Sequence, residues 1–306
     1  MLEKSPAQVL ITVVIPCYNH GAYLWDAIRS VENSGFRDYE MIIVDDGSTD
    51  PETQRIAKEV QEAGYHIILQ NNQGVAASRN NAIKLAKGKY IIPLDADNKL
   101  LAPYFFEGVK ILDENPKVGV VYGDALIIGE KSGSWKNHPM VMEEILFENN
   151  IDTCTIIRKK MWEEVGGYDT NAPVPTRQDY LFWLDCIKHN WAFHYLPQFC
   201  FEYRFLDGSE VRKYFRISAK RIAITEYLYS KQIPLIDKAV AGKQISVEVA
   251  NHLKGRLRSQ LSNYHLSFGS VLKGYRYFFE SFIYPNDALL YLRIAIGWPI
   301  KRLRNR

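Results

Sequence analysis

Three short apolar runs punctuate the first hundred residues, and each stops at a polar cluster. Val9–Ile15 (VLITVVI) meets Pro16-Cys17-Tyr18-Asn19, Glu40–Val44 (EMIIV) meets Asp45-Asp46-Gly47-Ser48, and Tyr90–Leu94 (YIIPL) meets Asp95-Ala96-Asp97. Short runs rich in Val and Ile suit strands buried on both faces of a parallel sheet. His66–Leu69 adds a fourth, shorter run. Between the runs the period changes. Leu24, Ala27, Ile28 and Val31 recur at helical spacing, and Pro51–Ala63 reads as a helix with Asp50 as its cap and Pro51 in its first position. Val75–Lys87 reads as a third helix, with Gly88 as its C-terminal stop. This β-α-β-α order predicts an α/β fold with a mostly parallel sheet flanked by helices. Ligands of such sheets bind beyond the carboxyl ends of the strands, so the three polar clusters are expected to converge on one crevice.

Composition leaves room for that core. A chain of 306 residues, 47% hydrophobic and 24% charged, buries enough surface to fold without a disulfide or metal staple. Disorder, collagen-like repeats and coiled coil are disfavoured. Cys17, Cys154, Cys186 and Cys200 form neither a C-x-x-C pair nor a zinc-spaced cluster, and read as reduced core residues of a cytoplasmic protein. No basic segment followed by an apolar one marks a signal peptide. Ala288–Ile300, the most apolar late stretch, is too short to span a bilayer and carries Arg293.

The first strand is not followed by G-x-G-x-x-G, and no G-x-x-x-x-G-K-[ST] occurs, which disfavours a dinucleotide fold and a P-loop. Asp95 and Asp97 bracket Ala96 at a strand end. Carboxylates there suit Mg²⁺ or Mn²⁺ shared with a substrate diphosphate; the plainer reading is a loop that caps the next helix.

Taken together, VVIPCYNHGAYLWDAIRSV (13–31), IIVDDGSTD (42–50), NNQGVAASRNNAIKLAKGKYIIPLDADN (71–98), GGYD (166–169), QDYLFWL (178–184) and YRFLDGS (203–209) resemble the glycosyltransferases of family 2. The matches keep the family's order over about two thirds of the chain. The resemblance implies a GT-A fold and an inverting transfer from a nucleoside-diphosphate sugar, with uridine as the nucleoside. It places Pro16, Tyr18 and Asn19 around the base. Asp46 resembles the aspartate that accepts from the uracil imide, which suits an ionised carboxylate; its plainer role is to start a turn before Gly47. Asn72, Gly74 and Arg79 match the segment facing base or diphosphate, and a guanidinium pairs well with phosphate oxygens; otherwise Arg79 is a surface residue of an amphipathic helix. Asp95, with Ala96, matches the ribose side, and Asp97 the residue that ligates Mn²⁺ or Mg²⁺.

In the second half, Val118–Tyr122 and Cys154–Ile157 read as strands, Gly129–His138 as a loop or hairpin, and Lys159–Val165 as a short helix. The resemblance assigns Gly166 and Gly167 to an acceptor pocket, although a helix C-cap needs only one glycine. It makes Asp179 the general base that takes the acceptor hydroxyl proton; the plainer role is a carboxylate at a helix N-terminus. Two departures stand out. Gln178 replaces the usual Glu beside that base. Leu206 stands where many members carry a metal-binding His, which leaves the ion to Asp97, diphosphate and water, or brings in Asp207. The processive Q-x-x-R-W signature is absent, so one sugar per encounter is expected.

The reading divides the chain into a nucleotide-sugar-binding half (1–110), an acceptor half (111–206) and a helical tail (207–306). The tail holds 18 Lys+Arg against 7 Asp+Glu, a net +11, leaving −8 for residues 1–206 within the total of +3. Aromatics crowd Tyr275–Ile300, and the chain ends Lys301-Arg302-Leu303-Arg304-Asn305-Arg306. Basic and aromatic helices suit the inner face of a membrane and a glycan or lipid-linked glycan acceptor; a packing arm or homodimer contact is the alternative. The acidic body is no nucleic-acid binder. Two other classes stay open: a non-catalytic domain of the same fold, and a sugar nucleotidyltransferase, whose early basic Gly-rich loop is missing.

Overall fold

The computed structural model describes residues 9–173, 176–206, 218–268 and 270–281. The chain divides into two compact units: Met1–Met140 with Asn150–Thr170 and Arg177–Asp207, and Val141–Asn149 with Asn171–Thr176 and Gly208–Arg306.

The first unit is built on one sheet. Strands β1 (Ile11–Cys17), β2 (Tyr39–Asp45), β3 (Ile67–Leu69) and β4 (Tyr90–Pro93) alternate with helices α1 (Gly21–Glu32), α2 (Pro51–Glu62) and α3 (Val75–Leu85). There follow β5 (Lys99–Leu100), α4 (Ala102–Glu114), β6 (Val118–Gly129), β7 (Gly133–Trp135), β8 (Ile156–Arg158), α6 (Lys159–Val165), α7 (Gln178–Lys188) and β9 (Ala192–Phe205); the one-turn helix α5 (Met142–Ile145) belongs to the second unit. The strand order is β3-β2-β1-β4-β8-β6-β9-β5, with β7 paired to β6. β1 to β4 are mutually parallel, as the βαβ order requires. Beyond β4 the sheet is mixed: β8 runs antiparallel to both β4 and β6, while β6 and β9 are parallel. Gly129–His138 closes the β6–β7 hairpin. Val13, Ile15, Leu24, Ile28, Ile43, Ile92 and Leu94 meet in the core.

Two local expectations change. Pro16 does not stop β1, which continues to Cys17. Pairing with β4 ends at Val14 opposite Pro93, so the missing N–H of Pro16 faces no partner strand, while its other edge still lies beside Val44 of β2. Gly88 is not a left-handed stop. Ala86 ends α3 in an extended conformation, and a Cβ on Gly88 would lie 2.4 Å from the amide nitrogen of Thr12. Its glycine is required by close approach to β1, where its N–H donates to Thr12 Oγ1 at 2.9 Å. All four cysteines are free and buried.

The second unit is helical, with α8 (Ser218–Ala241), α9 (Val247–Phe268) and α10 (Val271–Ser281). Leu235, Ile236, Leu253, Leu257 and Leu261 are buried in it. Gln232 Nε2 donates to the carbonyls of Leu146 and Phe147 at 3.0 and 3.1 Å, tying α8 to residues 141–149. Among the described residues no helix is long and apolar enough to cross a membrane. Asp207, the aromatics from Phe282 onward and the terminal Lys301–Arg306 lie outside the described residues.

Candidate active site

The carboxyl ends of β1 and β2 are sewn together by side chains. Asn19 takes a left-handed φ of 56°, a conformation Asn tolerates. Its Oδ1 accepts from the amides of Thr49 and Asp50 at 2.8 and 2.9 Å, and its own amide donates to Ser48 Oγ at 3.0 Å. Asp45 Oδ1 accepts from the Ser48 amide at 3.0 Å. Asp46 draws in the next loop: Oδ1 accepts from Gln70 Nε2 at 2.7 Å and from the Gln73 amide at 2.8 Å, and Oδ2 from the Gly74 amide at 2.8 Å. Three of the roughly four acceptor positions of a carboxylate are thereby used. Gly47, at φ 71°, admits this loop, since a Cβ there would lie 2.7 Å from the Asn72 amide nitrogen. Gly74 caps α3 at φ 86°. Pro16 is buried, while Tyr18 and Asn72 are exposed at the rim.

Helix α3 aims Arg79 inward. Its side chain is only 1% exposed, so it is not a surface residue. Nη2 donates to Asp95 Oδ1 at 2.5 Å, the Tyr168 ring lies 5.4 Å from the guanidinium carbon, and Nε and Nη1 have no hydrogen-bond partner. The next residue, Asn80, reaches across to α6. Its Oδ1 accepts from the Tyr168 amide at 2.9 Å and its Nδ2 donates to the Tyr168 carbonyl at 2.8 Å. Asn80 thereby docks Gly166-Gly167-Tyr168 on α3. Gly166 caps α6 in the left-handed region at φ 87°, and Gly167 follows at φ 80°. A Cβ on Gly167 would lie 2.7 Å from Asn80 Oδ1, so the second glycine serves the Asn80 contact.

Asp95, Ala96 and Asp97 form the turn after β4, with Ala96 buried. The inner oxygen of Asp95 is committed to Arg79. Asp97 has a different neighbour, His20, whose Nδ1 lies 3.6 Å from its Oδ2. Burial, with Asp95 beside it, pushes the Asp97 carboxyl up to about 6 against the pull of His20. Arg204 Nε donates to the Asp97 carbonyl at 2.9 Å, and the Arg204 amide to Asn98 Oδ1 at 2.9 Å. The arginine of the 203–209 motif therefore holds the turn from β9. Among the described residues no group of three or more His, Cys, Asp or Glu is placed to hold a metal ion by itself.

Helix α7 opens after Arg177, which takes a left-handed conformation at φ 63°. Gln178 Oε1 is buried without a hydrogen-bond partner. Burial raises the Asp179 carboxyl above the usual carboxylate range, against the Tyr180 N–H and the charges of Arg79 and Arg177. A residue the motifs did not mark joins them. Asp152, before β8, accepts from the Cys154 amide at 2.8 Å, and burial, reinforced by Asp95 and Asp179, pushes it up to about 7. One guanidinium thus sits in the field of three carboxylates, Asp95, Asp152 and Asp179. Asp152 lies in none of the quoted motifs, and His20, inside 13–31, was given no role; the pairing of β1 with β4 brings His20 to Asp97.

The model of Glycosyl transferase family 2 matches residues 12–185, more than half of the chain. The chain belongs to glycosyltransferase family 2. It is 28% identical over 186 residues, 58% of this chain and 70% of the relative, to the UDP-Glc:alpha-D-GlcNAc-diphosphoundecaprenol beta-1,3-glucosyltransferase WfaP of Escherichia coli. Residues 1–349 of S. aureus TarS, solved with UDP-GlcNAc, superpose with a TM-score of 0.58 at 18% identity, over 85% of this chain and 73% of that one. The mannosyltransferase PcManGT of Pyrobaculum calidifontis, solved with GDP-Man and Mn²⁺, gives 0.52 at 16% identity, over 97% and 87%. The fold is thus GT-A with a helical C-terminal part, and the protein is a glycosyltransferase, as the strand-end motifs predict.

Proposed function

We propose that this glycosyltransferase moves a single sugar from a uridine-diphosphate sugar to a hydroxyl of a glycan or lipid-linked acceptor, with inversion. The observation that carries it is the buried Arg79, paired with the partly exposed Asp95 and lying in the field of Asp179, at the carboxyl edge of the sheet where such folds bind ligand. Asp179 takes the proton of the acceptor hydroxyl as its oxygen bonds to the anomeric carbon, and the bond from that carbon to the diphosphate oxygen breaks. Arg79 fixes Asp95 toward the ribose and keeps Asp179 ionisable in a buried setting. Pro16, Tyr18, Asn19, Asn72 and Gly74 surround the base. Asp46 holds loop 70–74 with three acceptor positions and has one left for an imide N–H. Asp97 suits a divalent cation, being a hard ligand free of Arg79; when bound, Mn²⁺ or Mg²⁺ offsets the charge developing on the departing diphosphate. Gly166, Gly167 and Gln178 border the acceptor.

Support for uridine and for a lipid-linked acceptor comes from likeness to TarS and WfaP. The test is a panel of UDP-, GDP- and dTDP-sugars with Mn²⁺, run on the wild type and Asp179→Asn. Transfer from a UDP-sugar that collapses in the variant supports the reading. Equal turnover in both removes Asp179 as base, and donor binding without any transfer favours a non-catalytic role.

The helical unit supports peripheral contact with an anionic membrane. On α10, Leu272, Tyr275 and Phe279 are 85%, 41% and 65% exposed, at spacings that share one helix face, and Lys273 and Arg276, paired with Glu226 and Glu280, follow in the same helix. Full-length protein is expected to sediment with phosphatidylglycerol vesicles and not with phosphatidylcholine, and Leu272→Ser with Phe279→Ser to abolish this. Unchanged sedimentation of the double variant overturns the reading, and loss of a dimer instead assigns the face to a second copy.

A further inference from the structure

We propose that His20 is a cation ligand alongside Asp97, and that its imidazole makes the site prefer Mn²⁺ to Mg²⁺. This rests on the reading of Asp97 as the cation-holding carboxylate. His20 Nδ1 and Asp97 Oδ2 are 3.6 Å apart. Two atoms each bound at about 2.1 Å to one octahedral ion sit about 3 Å apart when adjacent, so a closing of roughly half an ångström suffices.

Both groups are presented by fixed backbone. Residues on either side of His20 are pinned: the Asn19 amide donates to Ser48 Oγ at 3.0 Å and the Gly21 amide to Thr53 Oγ1 at 2.9 Å. Gly21 has no room to shift toward α2, since even a Cβ would lie 2.5 Å from Thr53 Cα. The Tyr23 ring meets the imidazole edge-on at 6.3 Å between centroids. The Asp97 carbonyl is held by Arg204 Nε at 2.9 Å. Asp95 does not compete for the same role, because Arg79 holds its inner oxygen. The chain therefore offers one carboxylate oxygen and one imidazole nitrogen, and leaves the other positions of an ion to diphosphate oxygens and water. Imidazole suits first-row transition ions, whereas Mg²⁺ favours oxygen and water. Losing the nitrogen should therefore cost Mn²⁺ far more than Mg²⁺.

The experiment is Mn²⁺ binding with UDP present, read by electron paramagnetic resonance, with spin-echo modulation to detect a ligating nitrogen and Mg²⁺ as competitor. The wild type is expected to show ¹⁴N modulation. His20→Ala should lose it and bind Mn²⁺ about tenfold more weakly, with Mg²⁺ nearly unchanged. His20→Gln, an oxygen donor of similar size, guards against a folding artefact and should also lose the modulation while keeping Mg²⁺ affinity. Asp97→Asn should weaken both ions. If Asp97→Asn weakens Mn²⁺ but His20→Ala keeps modulation and affinity, the His20 proposal fails alone. Tighter Mn²⁺ binding in His20→Ala also overturns it, because His20 would then be an ion-pair partner that competes with the cation. If Asp97→Asn changes nothing, or the wild type binds no Mn²⁺ with UDP, the reading of Asp97 fails and takes this one with it.

Discussion

The carboxylates at the ends of β1 and β2 differ in kind from those gathered around Arg79. Asp46 is 3% exposed yet accepts three hydrogen bonds, two of them from backbone amides of loop 70–74. Asp50 caps α2, its Oδ2 accepting from the Thr53 amide at 2.8 Å, and these bonds hold its carboxyl below the usual range. Asp152 and Asp179 are pushed upward, first by burial; Asp95 adds to both and Asp179 to Asp152, while Arg79 opposes both shifts and Arg177 that of Asp179. Asp46 is spent on holding a loop, whereas Asp179 is raised by desolvation. A carboxylate that accepts from successive loop amides shapes that loop. One raised by desolvation keeps its proton to a higher pH than an ordinary carboxylate, at a cost in stability.

The sharpest way to break this contrast is Asp179→Asn. Loss of a general base should lower the transfer rate by about 10²–10⁴-fold with little change in donor KM. In the wild type the acidic limb of kcat/KM should lie above the ordinary carboxylate range, because burial raises Asp179. The opposite effect belongs to Asp46. Asp46→Ala strands the Gln73 and Gly74 amides and should cost about 1–3 kcal/mol of stability, read as a lower midpoint in urea. A stable Asp46→Ala that retains donor binding would show that loop 70–74 does not depend on this carboxylate.

The smallest effect is also the most diagnostic. Folded Asp152 keeps its proton up to about pH 7, whereas in the unfolded chain it releases it near its ordinary value of about 4. Between those values the folded state binds more protons, so stability falls as pH rises and then levels off above the folded value. Asp152→Asn removes that term while keeping an oxygen to accept from the Cys154 amide. Its Tm should match the wild type near pH 4 and exceed it by several degrees at pH 8. A variant less stable than the wild type at pH 8 would mean that ionised Asp152 is well paired.

Much of the first half of the sheet was legible in sequence because local pattern and strand ends coincide there. β-branched runs bounded by Asn19, Asp46 and Asp95 dictate strands that end at a ligand edge, and Asp50-Pro51 dictates where α2 begins. The glycine pair 166–167 was legible as a motif, but the reason for its second member was not. That reason is Asn80, 87 positions earlier, whose Oδ1 occupies the space a Cβ would need. Gly88 was misread for the same cause: its constraint comes from Thr12, on a strand laid beside it.

The sequence by itself determined the α/β class, the parallel first half, the family and the residues at the strand ends, because these follow from periodicity and from motifs a few residues long. Tertiary structure alone decided which carboxylates hold a loop and which are raised by burial. It buried Arg79 among Asp95, Asp152 and Asp179, and it set His20 beside Asp97 across 77 residues of chain. Desolvation and Coulomb attraction depend on distances through space, and spacing along the chain does not encode them.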